Sequence, residues 1–258
     1  MRKFAVLFAA IASVQPVLAA GPPEPPVPIL VDARGGIGVE VRVNGAGPYR
    51  FILDTGASRS IVSDGLARQL AAPIVAKSEV VTSAGSEIHL VARLATLAIA
   101  TTRVANLLAP VLPEARLALL GPGIRGIVGQ DFLSAFNYTL DYRRALLTWD
   151  EGLACGTRGT VRLNAAEGRF VMAVEDGSGT TLRLVPDSGA EVPVLFRGER
   201  PRDATSTLRE LRVGDVTLKR LDAYNVERID PNADGLLPLH QFSTVSFAAG
   251  GTCLWARK

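Results

Sequence analysis

Two stretches decide how this chain is read: Phe51-Ile52-Leu53-Asp54-Thr55-Gly56-Ala57-Ser58 and Leu184-Val185-Pro186-Asp187-Ser188-Gly189-Ala190-Glu191. Each is an apolar run ending in a carboxylate, a hydroxyl residue and a glycine. They stand 133 residues apart (187 − 54), and the register between them runs backwards without a gap. Ile37 falls on Phe170, Val39 on Met172, Val41 on Val174 and Phe51 on Leu184, while the turn Asn44-Gly45-Ala46-Gly47 falls on Gly177-Ser178-Gly179-Thr180. Ile37 to Val43 alternates apolar and polar residues as a half-buried strand does. Asn44 to Pro48 is a turn cluster, and Tyr49 to Leu53 resumes the strand.

A later match has another offset: Gly126-Ile127-Val128-Gly129 corresponds to Gly235-Leu236-Leu237-Pro238. Phe132 and Phe242 follow, and each half ends near a tryptophan, Trp149 and Trp255. A repeat this long is no solenoid period. It implies a duplicated domain with its joint near Glu151-Gly152. The rest of the pattern is β-rich, with long strands over Glu79 to Ala100 and Tyr138 to Tyr142 and one short helix over Asp64 to Leu70.

The whole chain has 258 residues, 28 Lys+Arg against 25 Asp+Glu, and is 48% hydrophobic. The apolar fraction and low net charge exclude intrinsic disorder. No Lys/Arg run or basic–aromatic patch suits a nucleic acid or an anionic membrane. Arg2 and Lys3, the apolar run Phe4 to Val14 and the small residues at Val17-Leu18-Ala19 read as a signal peptide over 1–20. That run is too short to span a bilayer, so no membrane span is expected in the mature protein. Residues 21–27 read as a Pro-rich lead-in, extended and unpaired over Gly21 to Pro26. The expected location is exported, periplasmic or secreted. There an even pair of cysteines, Cys155 and Cys253, favours a disulfide, with two buried thiols as the alternative. No metal is expected, because there is no Cys-x-x-Cys and His89 and His240 are far apart in the chain.

Alone, an Asp-Thr-Gly tripeptide reads as a turn. Its recurrence at matching places in a duplicated domain carries more, because a twofold relation brings Asp54 and Asp187 face to face. Two adjacent carboxylates hold one proton between them, so one can take a proton from water while the other donates to the oxygen under attack. Gly56 and Gly189 let the two loops approach closely. Thr55 and Ser188 supply hydroxyls that can bond across the junction. Ser58 and Ser60 read as loop hydroxyls, and Asp131 and His240 as structural polar residues.

On these residues the chain resembles aspartic peptidases of the retropepsin–pepsin type, in particular bacterial retropepsin-like proteins with two fused lobes. The resemblance covers about 28–258, most securely Phe51 to Leu70 and Gly126 to Tyr142. It implies a mainly β fold of two homologous β-barrel lobes (28–152 and 153–258), related by a pseudo-twofold with a cleft between them. It also implies catalytic Asp54 and Asp187, supported by Thr55, Gly56, Ser58, Ser188 and Gly189, with no cofactor. A hairpin flap is implied over Thr82, Ser83, Ala84, Gly85 and Ser86. Asp54 to Gly126 spans 72 residues (126 − 54) and Asp187 to Gly235 only 48 (235 − 187), so the second half is expected to lack its own flap.

The second half also departs from the family pattern. Glu191 stands where Ser58 stands, Pro186 precedes the aspartate, and Pro238 replaces a glycine; the flap has no tyrosine. The leading expectation is an exported, monomeric endopeptidase acting on peptide or protein substrates. Two alternatives are an inactive relative that binds peptide or protein in its cleft, and a protease active only as a homodimer of N-terminal lobes.

Overall fold

The computed structural model describes residues 25–82, 85–149, 152–197, 204–227 and 230–258. The expected signal peptide 1–20, part of the expected lead-in, Ser83 and Ala84 of the expected flap, and Glu151 at the expected joint lie outside them.

The chain opens with β1 (Val27–Pro28) and β2 (Leu30–Val31), then the hairpin β3 (Ile37–Val43) and β4 (Ala46–Leu53). Val27 is buried and pairs with Leu147. In β3, Ile37, Val39, Val41 and Val43 are buried while Glu40 and Arg42 are exposed, the period-2 pattern of a strand with one face on a core. The turn is tighter than the expected Asn44–Pro48 cluster. Asn44 and Gly45 take positive φ (52° and 80°), and Ala46 already pairs with Val43. That is the two-residue hairpin turn for which Asn-Gly is suited.

Next come β5 (Ile61–Ser63) and α1 (Asp64–Gln69), whose first turn is capped by Ser63 Oγ accepting from Leu66 N at 3.0 Å. The hairpin β6 (Ile74–Thr82) and β7 (Gly85–Ile99) follows, then β8 (Thr102–Leu112), α2 (Glu114–Leu117), β9 (Ile124–Val128) and α3 (Gln130–Leu133). This half closes with β10 (Tyr138–Asp141) and β11 (Leu146–Trp149). The remainder is β12 (Thr160–Ala166), β13 (Arg169–Asp176), β14 (Thr181–Asp187), β15 (Val194–Arg197), β16 (Thr205–Val213), β17 (Val216–Glu227), β18 (Gly235–Pro238), β19 (Thr244–Phe247) and β20 (Cys253–Arg257).

The fold is mostly β. Strands β3, β4, β9, β5, β8 and β7 close on themselves through the β3–β7 pairing, which makes a six-stranded barrel. Strands β13, β14, β18, β15, β17 and β16 make a second ring, closed through β13–β16. The two rings pair in the same order and with the same senses. Both β4–β9 and β14–β18 are parallel, as are β5–β8 and β15–β17. The register repeats as well: Val39 pairs with Phe51 and Met172 with Leu184, and Phe51 meets Gly126 as Leu184 meets Gly235.

One feature is not repeated. Strand β6 lies outside the first ring, paired only to β7, and no described strand takes its place beside β16. The remaining strands, in the order β1-β11-β10-β19-β20-β12, continue the second sheet and join the halves through β10–β19. Across that pairing Tyr138 stacks on Phe247 with centroids 4.9 Å apart. Cys155 and Cys253 form a disulfide, tying the start of the second half to its last strand. Among the described residues no helix is long and apolar enough to cross a membrane.

Candidate active site

Parallel strand pairs build both loops. Strand β4 ends at Leu53 and delivers Asp54, whose N–H donates to Val128 O at 3.0 Å; β14 ends at Asp187, paired with Pro238. The Asp54 Oδ1 accepts from the N–H groups of Gly56 (2.9 Å) and Ala57 (3.1 Å). Likewise Asp187 Oδ1 accepts from Gly189 (2.7 Å) and Ala190 (3.0 Å). Each carboxyl is thereby fixed by its own loop and lies against the glycine of the other.

The glycines are required by close approach. A Cβ on Gly56 would lie 2.5 Å from Asp187 Cγ, and one on Gly189 2.8 Å from Asp54 Cγ. No side chain fits in either place.

Beneath the carboxyls, the hydroxyls exchange bonds across the junction. Thr55 N donates to Ser188 Oγ and Ser188 N to Thr55 Oγ1, both at 3.0 Å. Thr55 Oγ1 in turn donates to Pro186 O (2.7 Å), and Ser188 Oγ to Leu53 O (2.8 Å). All four bonds are buried, and every polar group is satisfied, which makes such a network rigid. Pro186 fits because the β13–β14 ladder ends at Leu184, so its missing N–H interrupts no bond there.

Behind the first loop stands a second set of bonds. Ser60 N and Oγ donate to Asp131 Oδ1 (2.8 and 2.6 Å), Gly129 N donates to Ser60 Oγ, and Gln130 Nε2 donates to Thr55 O (2.8 Å). Burial pushes the Asp131 carboxyl up, against the Ser60 bonds that lower it. The second half has none of this lock: its matching positions hold Pro193, Pro238, Leu239 and His240. Ser60 and Asp131, expected as a loop hydroxyl and a structural polar residue, bond to each other. Gln130 was not expected at the site; its polarity in an apolar stretch was the available signal.

Burial raises both aspartates above the usual carboxylate range. For Asp187 the charge of Asp54 adds to burial and pushes it well up. Asp54 is moderated by its backbone bonds, by Asp187, and by the nearby guanidinium of Arg169. Two carboxyls this close and this buried therefore hold one proton between them. Such a pair can accept a proton from one ligand atom and donate one to another.

A cleft of about 240 Å³ opens beside Gly189, lined by Asp32, Arg34, Ile52, Leu119, Leu120 and Glu191. Glu191 turns to this rim, and Arg34 Nη1 meets its Oε1 at 2.9 Å. Its charge is thus balanced by Arg34. Ser58 sits in the first loop without a side-chain bond to Asp54 among those described. In the expected flap, β6 and β7 pair Thr82 with Gly85 and Val81 with Ser86, while Ser83 and Ala84 lie outside the described residues. No cluster of three or more His, Cys, Asp and Glu able to hold a metal ion occurs among the described residues.

Residues 39–132 match the family model of aspartyl proteases. That span covers the first six-stranded ring, the Asp54 loop, and the Ser60–Asp131 lock. No curated protein matches the chain.

Proposed function

We propose, from the match of residues 39–132 to the aspartyl protease family, that the chain is an exported endopeptidase whose single catalytic pair is Asp54 and Asp187. The observation that carries this reading is the meeting of the two loops, in which each glycine yields room to the opposite carboxyl. The repeated ring pairing supports two lobes related by a pseudo-twofold, with the β6–β7 hairpin as the one flap. The disulfide suits an oxidising compartment.

In the proposed reaction, water lies between the two carboxyls. Asp54 takes a proton from it as its oxygen attacks the peptide carbonyl carbon. Asp187 gives its proton to the carbonyl oxygen, and a gem-diol forms. The C–N bond then breaks: the proton on Asp54 passes to the leaving nitrogen, and one hydroxyl proton of the gem-diol returns to Asp187. The pair ends as it began, with no covalent intermediate.

A second reading, a peptide-binding relative, rests on the missing lock behind Asp187. A homodimer of first lobes is disfavoured, because Asp187 already fills the place beside Asp54. The test is incubation of the mature protein with a peptide library from about pH 3 to pH 7, where a coupled carboxylate pair can hold one proton. The peptidase cleaves internal bonds within that range and is insensitive to chelators. Binding without cleavage at every pH would select the second reading.

A further inference from the structure

The turn between β2 and β3 carries two charges to the edge of the catalytic cleft. Asp32 Oδ1 accepts from Arg34 N (2.8 Å) and Gly36 N (2.9 Å), and Gly35 N donates to Asp32 O (3.1 Å). Gly35 has positive φ (88°), and the His240 ring of the second half packs on it so closely that a Cβ there would lie 2.3 Å from the ring Cγ. A turn bonded to its own aspartate and covered from the other half presents its side chains from a fixed place.

Those side chains line the cleft of about 240 Å³ beside Gly189. Its apolar lining is Ile52 with Leu119 and Leu120, which are 83% and 45% exposed. Sites for whole small molecules run to about 300–1,000 Å³, so this space suits one long side chain. Gly189 lies against the Asp54 carboxyl, so that side chain belongs to a residue flanking the cleaved bond.

The charged lining forms one cluster, because Asp32 and Arg34 share the turn and Arg34 Nη1 meets Glu191 Oε1 at 2.9 Å. Two carboxylates stand there against one guanidinium, and the catalytic pair with its single proton adds a further negative charge. Asp32 Oδ2 has no partner among the described bonds. His240 adds no charge near neutral pH, since burial pushes its pKa down. Arg50, bonded to Pro122 O, is not part of the lining. Such a cleft draws a cation and repels an anion.

Resting on the peptidase reading, we propose that this cleft is a specificity subsite for a lysine or arginine next to the cleaved bond. The aliphatic stem lies on Ile52, Leu119 and Leu120 while the cationic head stays wet beside Asp32 and Glu191. Arg34 moderates the attraction by holding one of the two carboxylates.

The test uses peptides with lysine, norleucine or glutamate at each of the two positions flanking one scissile bond. Their kcat/KM values are compared at about pH 6.5, where exposed carboxylates are ionised. Uncleavable copies, with a hydroxyethylene group in place of the scissile amide, are compared by Kd. At one of the two positions lysine leads norleucine by about threefold to fivefold, the size of a solvent-exposed ion pair, and glutamate comes last. That lead shrinks in about 0.5 M salt. Glu191→Gln brings the lysine-to-norleucine ratio close to one, whereas Arg34→Met raises it. Opposite movements in two variants that break the same ion pair separate charge recognition from a structural tie. Equal values for lysine and norleucine, a glutamate preference, or ratios that move together in both variants would overturn the proposal. The Kd arm needs no turnover: lysine selectivity without cleavage sinks the peptidase reading and upholds the subsite, and cleavage without that selectivity sinks the subsite alone. A protein that neither cleaves nor binds any of these peptides overturns both.

Discussion

Asp187 is the residue on which most of the local physics converges. It is 7% exposed, bonded to two backbone N–H groups, and pressed against another carboxyl. A group raised in the folded state favours folding at low pH and costs stability as pH rises from its unfolded value through its folded one. Asp187→Asn removes that cost without changing shape. The variant is expected to melt several degrees above wild type at pH 7, with the gap closing toward pH 4; melts at both pH values check it. The Asp-Thr-Gly and Asp-Ser-Gly signatures were legible because residue type alone dictates them: a carboxyl, a hydroxyl and a missing Cβ. The Arg169–Asp230 pair was not legible, since two charged residues 61 apart show nothing of their meeting until the chain folds. Glu191 was readable as a departure, but its partner Arg34, 157 residues away, was not.

Among the elements, the segment from β9 into α3 is held differently from its counterpart, β18 and the turn after it. The first is locked by Ser60, which serves Gly129 N and Asp131 at once. Ser60→Ala strands the buried Gly129 N–H and removes one of the two Ser60 bonds to the Asp131 carboxyl, and is expected to lower stability by about 1–3 kcal/mol in urea unfolding. The second half fills the same place with Pro193 and Pro238, which have no N–H to satisfy. Strand positions were legible from period-2 alternation, and the 133-residue register reappears pair by pair in the β3–β4 and β13–β14 ladders. The Asn44–Pro48 cluster misled because composition marks turn residues without saying which two make the turn. The disulfide belongs to this scale too. It closes a separation of 98 residues, and Cys155→Ala with Cys253→Ala is expected to cost about 2–4 kcal/mol in the same assay.

At the scale of the whole molecule, two rings with one pairing order share a sheet and bring two strand ends to one point. The duplication was legible in the sequence, whereas the joining sheet β1-β11-β10-β19-β20-β12 was not, because its strands come from both halves and depend on how the halves meet. On the proposed reading this architecture makes one catalytic pair from one chain. The measurement that tests this most directly is the specific activity of wild type, Asp54→Asn and Asp187→Asn over a hundredfold range of protein concentration. The account predicts constant wild-type activity per milligram and a loss of about a thousandfold or more in each variant, because neither asparagine can carry the shared proton. A nearly silent Asp187→Asn, with wild-type activity falling steeply on dilution, would contradict it.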